Sequence, residues 1–145
     1  MNRPVDLDYV ETEKEARTCF ELLRELRPHL ASEDAFVEQW QRQKTSGYRL
    51  LMLRQGEALL ALAGFRLQEN LVHGLHLYVD DLVTRESARS SGYGQIMMNR
   101  LKEEARRLCC EKLLLDTPLN NVLGHRFYYR EGLFATALRF SLTIE

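Results

Sequence analysis

Apolar and polar residues alternate from Val5 to Val10, the two-residue period of a half-buried strand. The period then lengthens. Ala16, Cys19, Phe20, Leu23 and Leu26 recur at helical spacing behind Thr12-Glu13-Lys14-Glu15, a capping box, which predicts a helix to about Arg27 that Pro28 ends. Ser32 is a second cap with Glu33 and Asp34 in the first turn, and Phe36, Val37 and Trp40 mark one face of a second helix closed by Thr45-Ser46-Gly47. Two strand-like runs follow, Tyr48 to Arg54 and Ala58 to Leu67, joined by the hairpin signal Gln55-Gly56-Glu57. In the second run Ala61-Leu62-Ala63 is also compatible with a helix.

From Leu75 to Val83 a long strand is predicted, with Leu75, Leu77 and Val79 on one face and His76, Tyr78 and Asp80 on the other. Asp80-Asp81 breaks the alternation before Leu82 resumes it, the one-residue slip that a β-bulge produces. After Gly94, Met97, Leu101, Ala105 and Leu108 form one helical stripe opposite Arg100, Glu103 and Arg107. A short strand at Lys112 to Asp116, a short helix at Val122 to Arg130 and a last strand at Leu138 to Ile144 complete the pattern, with no repeat or linker. The expected fold class is α/β: a three-layer domain around a mixed sheet, forming a single domain over residues 1–145.

Composition narrows the possible chemistry. The net charge of -1 lacks the cationic surplus of a nucleic-acid binder, and no apolar run is long enough for a membrane span, so a cytoplasmic address is expected. Cys19, Cys109 and Cys110 have neither disulfide nor zinc spacing, and the four histidines show no metal-ligating pattern; no metal site is expected.

The stretch Arg89-Ser90-Ser91-Gly92-Tyr93-Gly94 lies where a strand ends and a helix begins. Unpaired amides of that helix's first turn converge there with the positive end of its dipole, and glycines let a bulky anion approach the backbone. Arg89, Ser90 and Ser91 add donors. A dinucleotide fingerprint would need glycine where Met97 stands, and a P-loop would need Gly-Lys followed by Ser or Thr, so neither applies.

The remaining pattern, R-x-x-G-x-G between strand and helix, resembles the pyrophosphate loop of the GNAT superfamily of N-acetyltransferases. The segment from Asn121 to Leu133 is similar to a second signature of that family, with Gly124 in place of the usual alanine and Leu133 in place of phenylalanine. Tyr78 to Thr84 is similar to its bulged central strand, with Thr84 where valine is common. The resemblance covers about Gly47 to Ile144. It implies a GNAT-type sheet with a V-shaped splay flanked by about four helices, and transfer of acetyl from acetyl-CoA to a primary amine of a small molecule or peptide in a ternary complex.

By the same resemblance, Leu82, Val83 and Thr84 would pair with the pantetheine arm, and Arg89, Ser90, Ser91, Gly92, Tyr93, Gly94 and Gln95 would hold the diphosphate. Asn121 would contact the cofactor or cap its helix, and Tyr128 would protonate the leaving thiolate, whereas Tyr129 is expected in packing or at the surface. A bulge amide near Leu82 would polarise the carbonyl, with Asp80 and Asp81 as candidate proton acceptors and His76 as a rival. Arg27-Pro28-His29-Leu30 falls where the family builds its acceptor pocket. A non-catalytic acyl-CoA binding or sensing domain is the alternative; an RNA-directed transferase is disfavoured by charge. The last strand offers a pairing edge for a homodimer.

Overall fold

The computed structural model describes residues 4–145, in two compact units, one ending at Leu114 and the other running from Leu115 to Glu145. In the first unit the order is β1 (Asp6–Tyr9), α1 (Glu13–Leu26), α2 (Glu33–Thr45), β2 (Arg49–Gln55), β3 (Ala58–Asn70), β4 (Gly74–Thr84) and α3 (Tyr93–Arg107). β5 (Lys112–Leu115) crosses into the second unit, which contains α4 (Val122–Arg130). The strands form one mixed sheet in chain order, β1-β2-β3-β4-β5, with β1 to β4 antiparallel.

Both predicted caps form. Thr12 accepts from the Glu15 amide while the Glu15 carboxylate returns to the Thr12 amide, and Ser32 accepts from Ala35. Ala61-Leu62-Ala63, ambiguous by pattern, is strand: these residues pair with β2 on one side and β4 on the other, and a fully buried central strand needs no alternation.

Strand alternation sorts the core into two faces. Leu50, Met52, Leu62 and Val83 pack with Phe20, Leu23, Phe36 and Trp40 of α1 and α2. Leu51, Ala63 and Phe65 point the other way, where Tyr9 meets Phe65 and reaches Glu104 of α3 with its hydroxyl, 2.8 Å away. α3 covers that face with Met97, Met98 and Leu101, all fully buried.

Glu104 is 5% exposed and takes hydrogen bonds from Arg107, Tyr9 and Arg100. Burial alone would raise its pKa, but these donors outweigh it and hold the carboxyl at about 2. A folded-state pKa below the unfolded one stabilises at pH above about 4.5 and loses that contribution as pH falls toward about 2. Glu104→Gln should therefore be less stable than wild type by on the order of 3 kcal/mol at pH 7. In urea melts the gap should close on acidification; a gap independent of pH would count against this account.

β5 begins beside the start of β4, where the Glu111 amide donates to the Leu75 carbonyl. Being four residues long against eleven, it leaves the far end of β4 beyond its reach. Among the described residues no helix is long and apolar enough to cross a membrane.

The expected last strand at Leu138 to Ile144 is not formed. Residues 134–145 adopt neither helix nor strand, and Phe140, Leu142 and Ile144 are each more than 80% exposed. The period-two pattern supplies local β preference, but a strand also needs a partner edge, and among the described residues this segment pairs with none. Arg139 pairs with Asp116 inside the second unit.

Candidate functional site

At the end of β4 the chain is anchored to β3 by Arg85, whose amide donates to the Leu60 carbonyl and whose Nε donates to that of Leu59. A 3-10 turn over Glu86–Ala88 follows, then an exposed loop in which Ser90 has φ 70° and Gly92 has φ 85°. Gly92 is the residue before α3, and no side chain caps that helix. The helical ladder starts with the Ile96 amide donating to the Gly92 carbonyl, so the amides of Tyr93, Gly94 and Gln95 precede it. Ser90, Ser91, Gly92 and Gln95 are exposed, and Arg89 Nε bonds back to the Thr84 carbonyl. Three amides ahead of the helical ladder, a positive dipole end and open space where a side chain at position 92 would stand make a helix start suited to a phosphate.

Upstream, β4 is bulged as its pattern predicts. Gly64 faces Asp81 and Phe65 faces Val79, leaving Asp80 without an opposite residue in β3. Such a bulge can turn two consecutive side chains to one face, and here both aspartates find partners on the face of α1. Arg66 donates to both oxygens of Asp80, at 2.8 and 2.7 Å. Asp81 accepts from Arg27 at 3.1 Å and from the Tyr48 hydroxyl at 2.7 Å, and a second Arg27 nitrogen donates to the main-chain carbonyl of Asp80 at 2.8 Å. Burial first, then the adjacent Asp81 carboxylate, raises the Tyr48 pKa well above its usual value, so the phenol stays a donor. His76 is buried on β4 with Nδ1 2.9 Å from the Gly74 carbonyl, four residues before Asp80.

In the second unit Asn121 is the N-cap of α4: its side-chain oxygen accepts from the Gly124 amide and its Nδ2 donates to Thr117. A Cβ at position 124 would lie 2.3 Å from that Nδ2, so glycine there gives the cap its room. Tyr128 is half-buried against Phe127, and burial raises its pKa above 10.0. Tyr129 is at the surface, 58% exposed.

No local sequence pattern marks Tyr48, Gly64 or Arg66 as site residues, and pattern places Arg27 only in an acceptor loop. Their contacts with the bulge span 14 to 54 positions. The one available signal was compensation: two adjacent acidic residues on an otherwise apolar strand demand partners.

Comparison with known proteins points the same way. A model of the Acetyltransferase (GNAT) family matches residues 11–133. An uncharacterized N-acetyltransferase, YhdJ of Bacillus subtilis (strain 168), is 27% identical over 124 residues, covering 86% of this chain and 87% of that protein. Among solved structures, a ribosomal-protein-alanine N-acetyltransferase from Brucella melitensis biovar Abortus 2308 superposes with a TM-score of 0.82 at 18% identity, covering 97% of this chain and 100% of the other. The aminoglycoside N-acetyltransferase AAC(6')-Iy in complex with CoA gives 0.85 at 13% identity, over 99% and 97% of the two chains.

Proposed function

The chain belongs to the acetyltransferase (GNAT) family and is thus an acyltransferase; from that premise we propose that it carries acetyl from acetyl-CoA to a primary amine of a small molecule or peptide, directly within a ternary complex. The observation that carries this reading is the uncapped start of α3 behind Gly92, shaped for a diphosphate. Arg89, Ser90, Ser91, Gly92, Tyr93, Gly94 and Gln95 hold the phosphates, while Leu82, Val83 and Thr84 offer backbone to the amide-bearing arm. Asn121, already a cap, also faces the cofactor in this reading.

The chemistry divides into three roles. The amine's lone pair attacks the thioester carbon, and the oxygen gathers negative charge that an amide at the bulge near Leu82 stabilises. Asp80 and Asp81 remove the amine's proton through water, using lone pairs their arginine and tyrosine donors leave free. As the carbon–sulfur bond breaks, Tyr128 gives its phenolic proton to the thiolate; a phenol carries that proton at neutral pH, and burial raises its pKa further.

An amine acceptor is compatible with the aminoglycoside and ribosomal-protein-alanine activities named for the structural neighbours. The free thiols of Cys19, Cys109 and Cys110 suit a reducing, cytoplasmic address. The exposed alternation from Leu138 to Ile144 suits pairing with a second copy, and light scattering at micromolar concentration reads that directly. The main test is calorimetric titration with acetyl-CoA followed by thiol release across a panel of amines. Saturable binding with turnover is expected; pure, folded protein that binds neither CoA nor acetyl-CoA would overturn the reading.

A further inference from the structure

We propose that Tyr48, Arg27 and Arg66 are positioning residues that clamp the β4 bulge, fixing the amide presented to the thioester carbonyl; this rests on the acetyl-CoA reading above. A bulge breaks the hydrogen-bond ladder at its extra residue, so its local geometry is held only if something besides the ladder holds it. Here three elements converge on two residues. Arg66 of β3 grips the Asp80 carboxylate with both ends of its guanidinium. Arg27, in the connection between α1 and α2, bridges the Asp80 carbonyl and the Asp81 carboxylate, so it fixes main chain as well as side chain.

The third contact is possible only because of a glycine. Tyr48 lies just before β2, yet its hydroxyl crosses β3 to reach Asp81 of β4. It passes over Gly64, where a Cβ would sit 1.8 Å from that oxygen. Gly64 is therefore a window in the sheet, directly opposite Asp81 in register. The Tyr48–Asp81 contact is the buried one, with Tyr48 6% exposed and the Asp81 side chain 16%, while the Arg27 and Arg66 guanidinium groups reach the bulge from the partly exposed side. Because Arg27 lies in the connection between α1 and α2, the clamp also ties that connection to the bulge.

The test uses acetyl-CoA labelled with carbon-13 at the carbonyl, bound to the whole protein and read by isotope-edited infrared spectroscopy, with occupancy set by calorimetry. In wild type the carbonyl band should move to lower frequency than in solution. Tyr48→Phe and Arg27→Gln should each lose roughly half or more of that shift and roughly tenfold in thiol release, at acetyl-CoA affinity within about threefold of wild type. Arg27→Lys, which keeps one charged donor, should recover part of both. A merely structural role would lower the melting temperature and leave the band of the bound molecule where it was. Unchanged band positions in Tyr48→Phe and Arg27→Gln at full occupancy would overturn the clamp alone, whereas a wild type that binds no acetyl-CoA overturns the function reading and the clamp with it. Arg27 is partly exposed, so its variants remain informative should Tyr48→Phe fail to fold.

Discussion

Tyr128→Phe is expected to lower kcat by roughly 100- to 10,000-fold, the span attributed to a well-placed general acid, while changing acetyl-CoA affinity by less than about threefold. The substitution removes a single oxygen. The ring keeps its place beside Phe127, so the helix and its packing are left as they are. What disappears is the phenolic donor proposed for the leaving thiolate, protonated at neutral pH as any phenol is and with its pKa raised further by burial. Without it the thiolate must leave unprotonated or wait for a proton from water. The same comparison separates an enzyme from a protein that only binds acyl-CoA, since a binder would show no difference in thiol release between the two forms. A loss of under threefold with a responsive amine would remove Tyr128 from the mechanism and leave the loop's role intact.

Gly92→Val should weaken acetyl-CoA binding by roughly 10- to 100-fold. At φ 85° the residue before α3 sits where side chains are disfavoured, by about 1–2 kcal/mol, and more for a β-branched one. At about 1.4 kcal/mol per tenfold that strain alone approaches the lower figure if it deforms the loop, and a bulky side chain beside the first amides of α3 adds to it. A control isolates the effect: Gly56, in the β2–β3 turn, has φ 63° and open space around it. Gly56→Val should lower stability comparably and leave binding alone. Equal loss of affinity in both variants would mean that strain, and not the helix start, was being measured.

Much of this fold was legible along the chain because it is written in short-range chemistry. The capping residues Thr12 and Ser32, the stripe Met97, Leu101 and Ala105, and the slip at Asp80-Asp81 each depend on neighbours within a turn or two. Gly92 and Gly94 could be read for the same reason, since a helix start is a local object. The clamp could not. Nothing near Tyr48 in sequence says that its hydroxyl will cross a strand, and nothing near Gly64 says why it lacks a side chain; the reason for both is Asp81, which only sheet register brings opposite. The segment from Leu138 to Ile144 fails in the opposite sense. Its alternation is strong and local, but strand formation is decided by an edge elsewhere, which sequence pattern does not contain.

The spatial order of the strands has a further consequence for how the chain finds its structure. β2, β3 and β4 are successive in sequence and adjacent in the sheet, joined by Gly56-Glu57 and by residues 71–73. Each connection closes a very small ring, for which the entropic cost of bringing strand ends together is near its minimum. A meander of this kind can zip outward from its turns without waiting for distant segments to diffuse into place, the regime in which β structure forms fastest. The Asp80 bulge lies midway along the longer of the two zippers, so the register of everything beyond it, including Leu82 to Thr84, is fixed only once that irregularity has been passed.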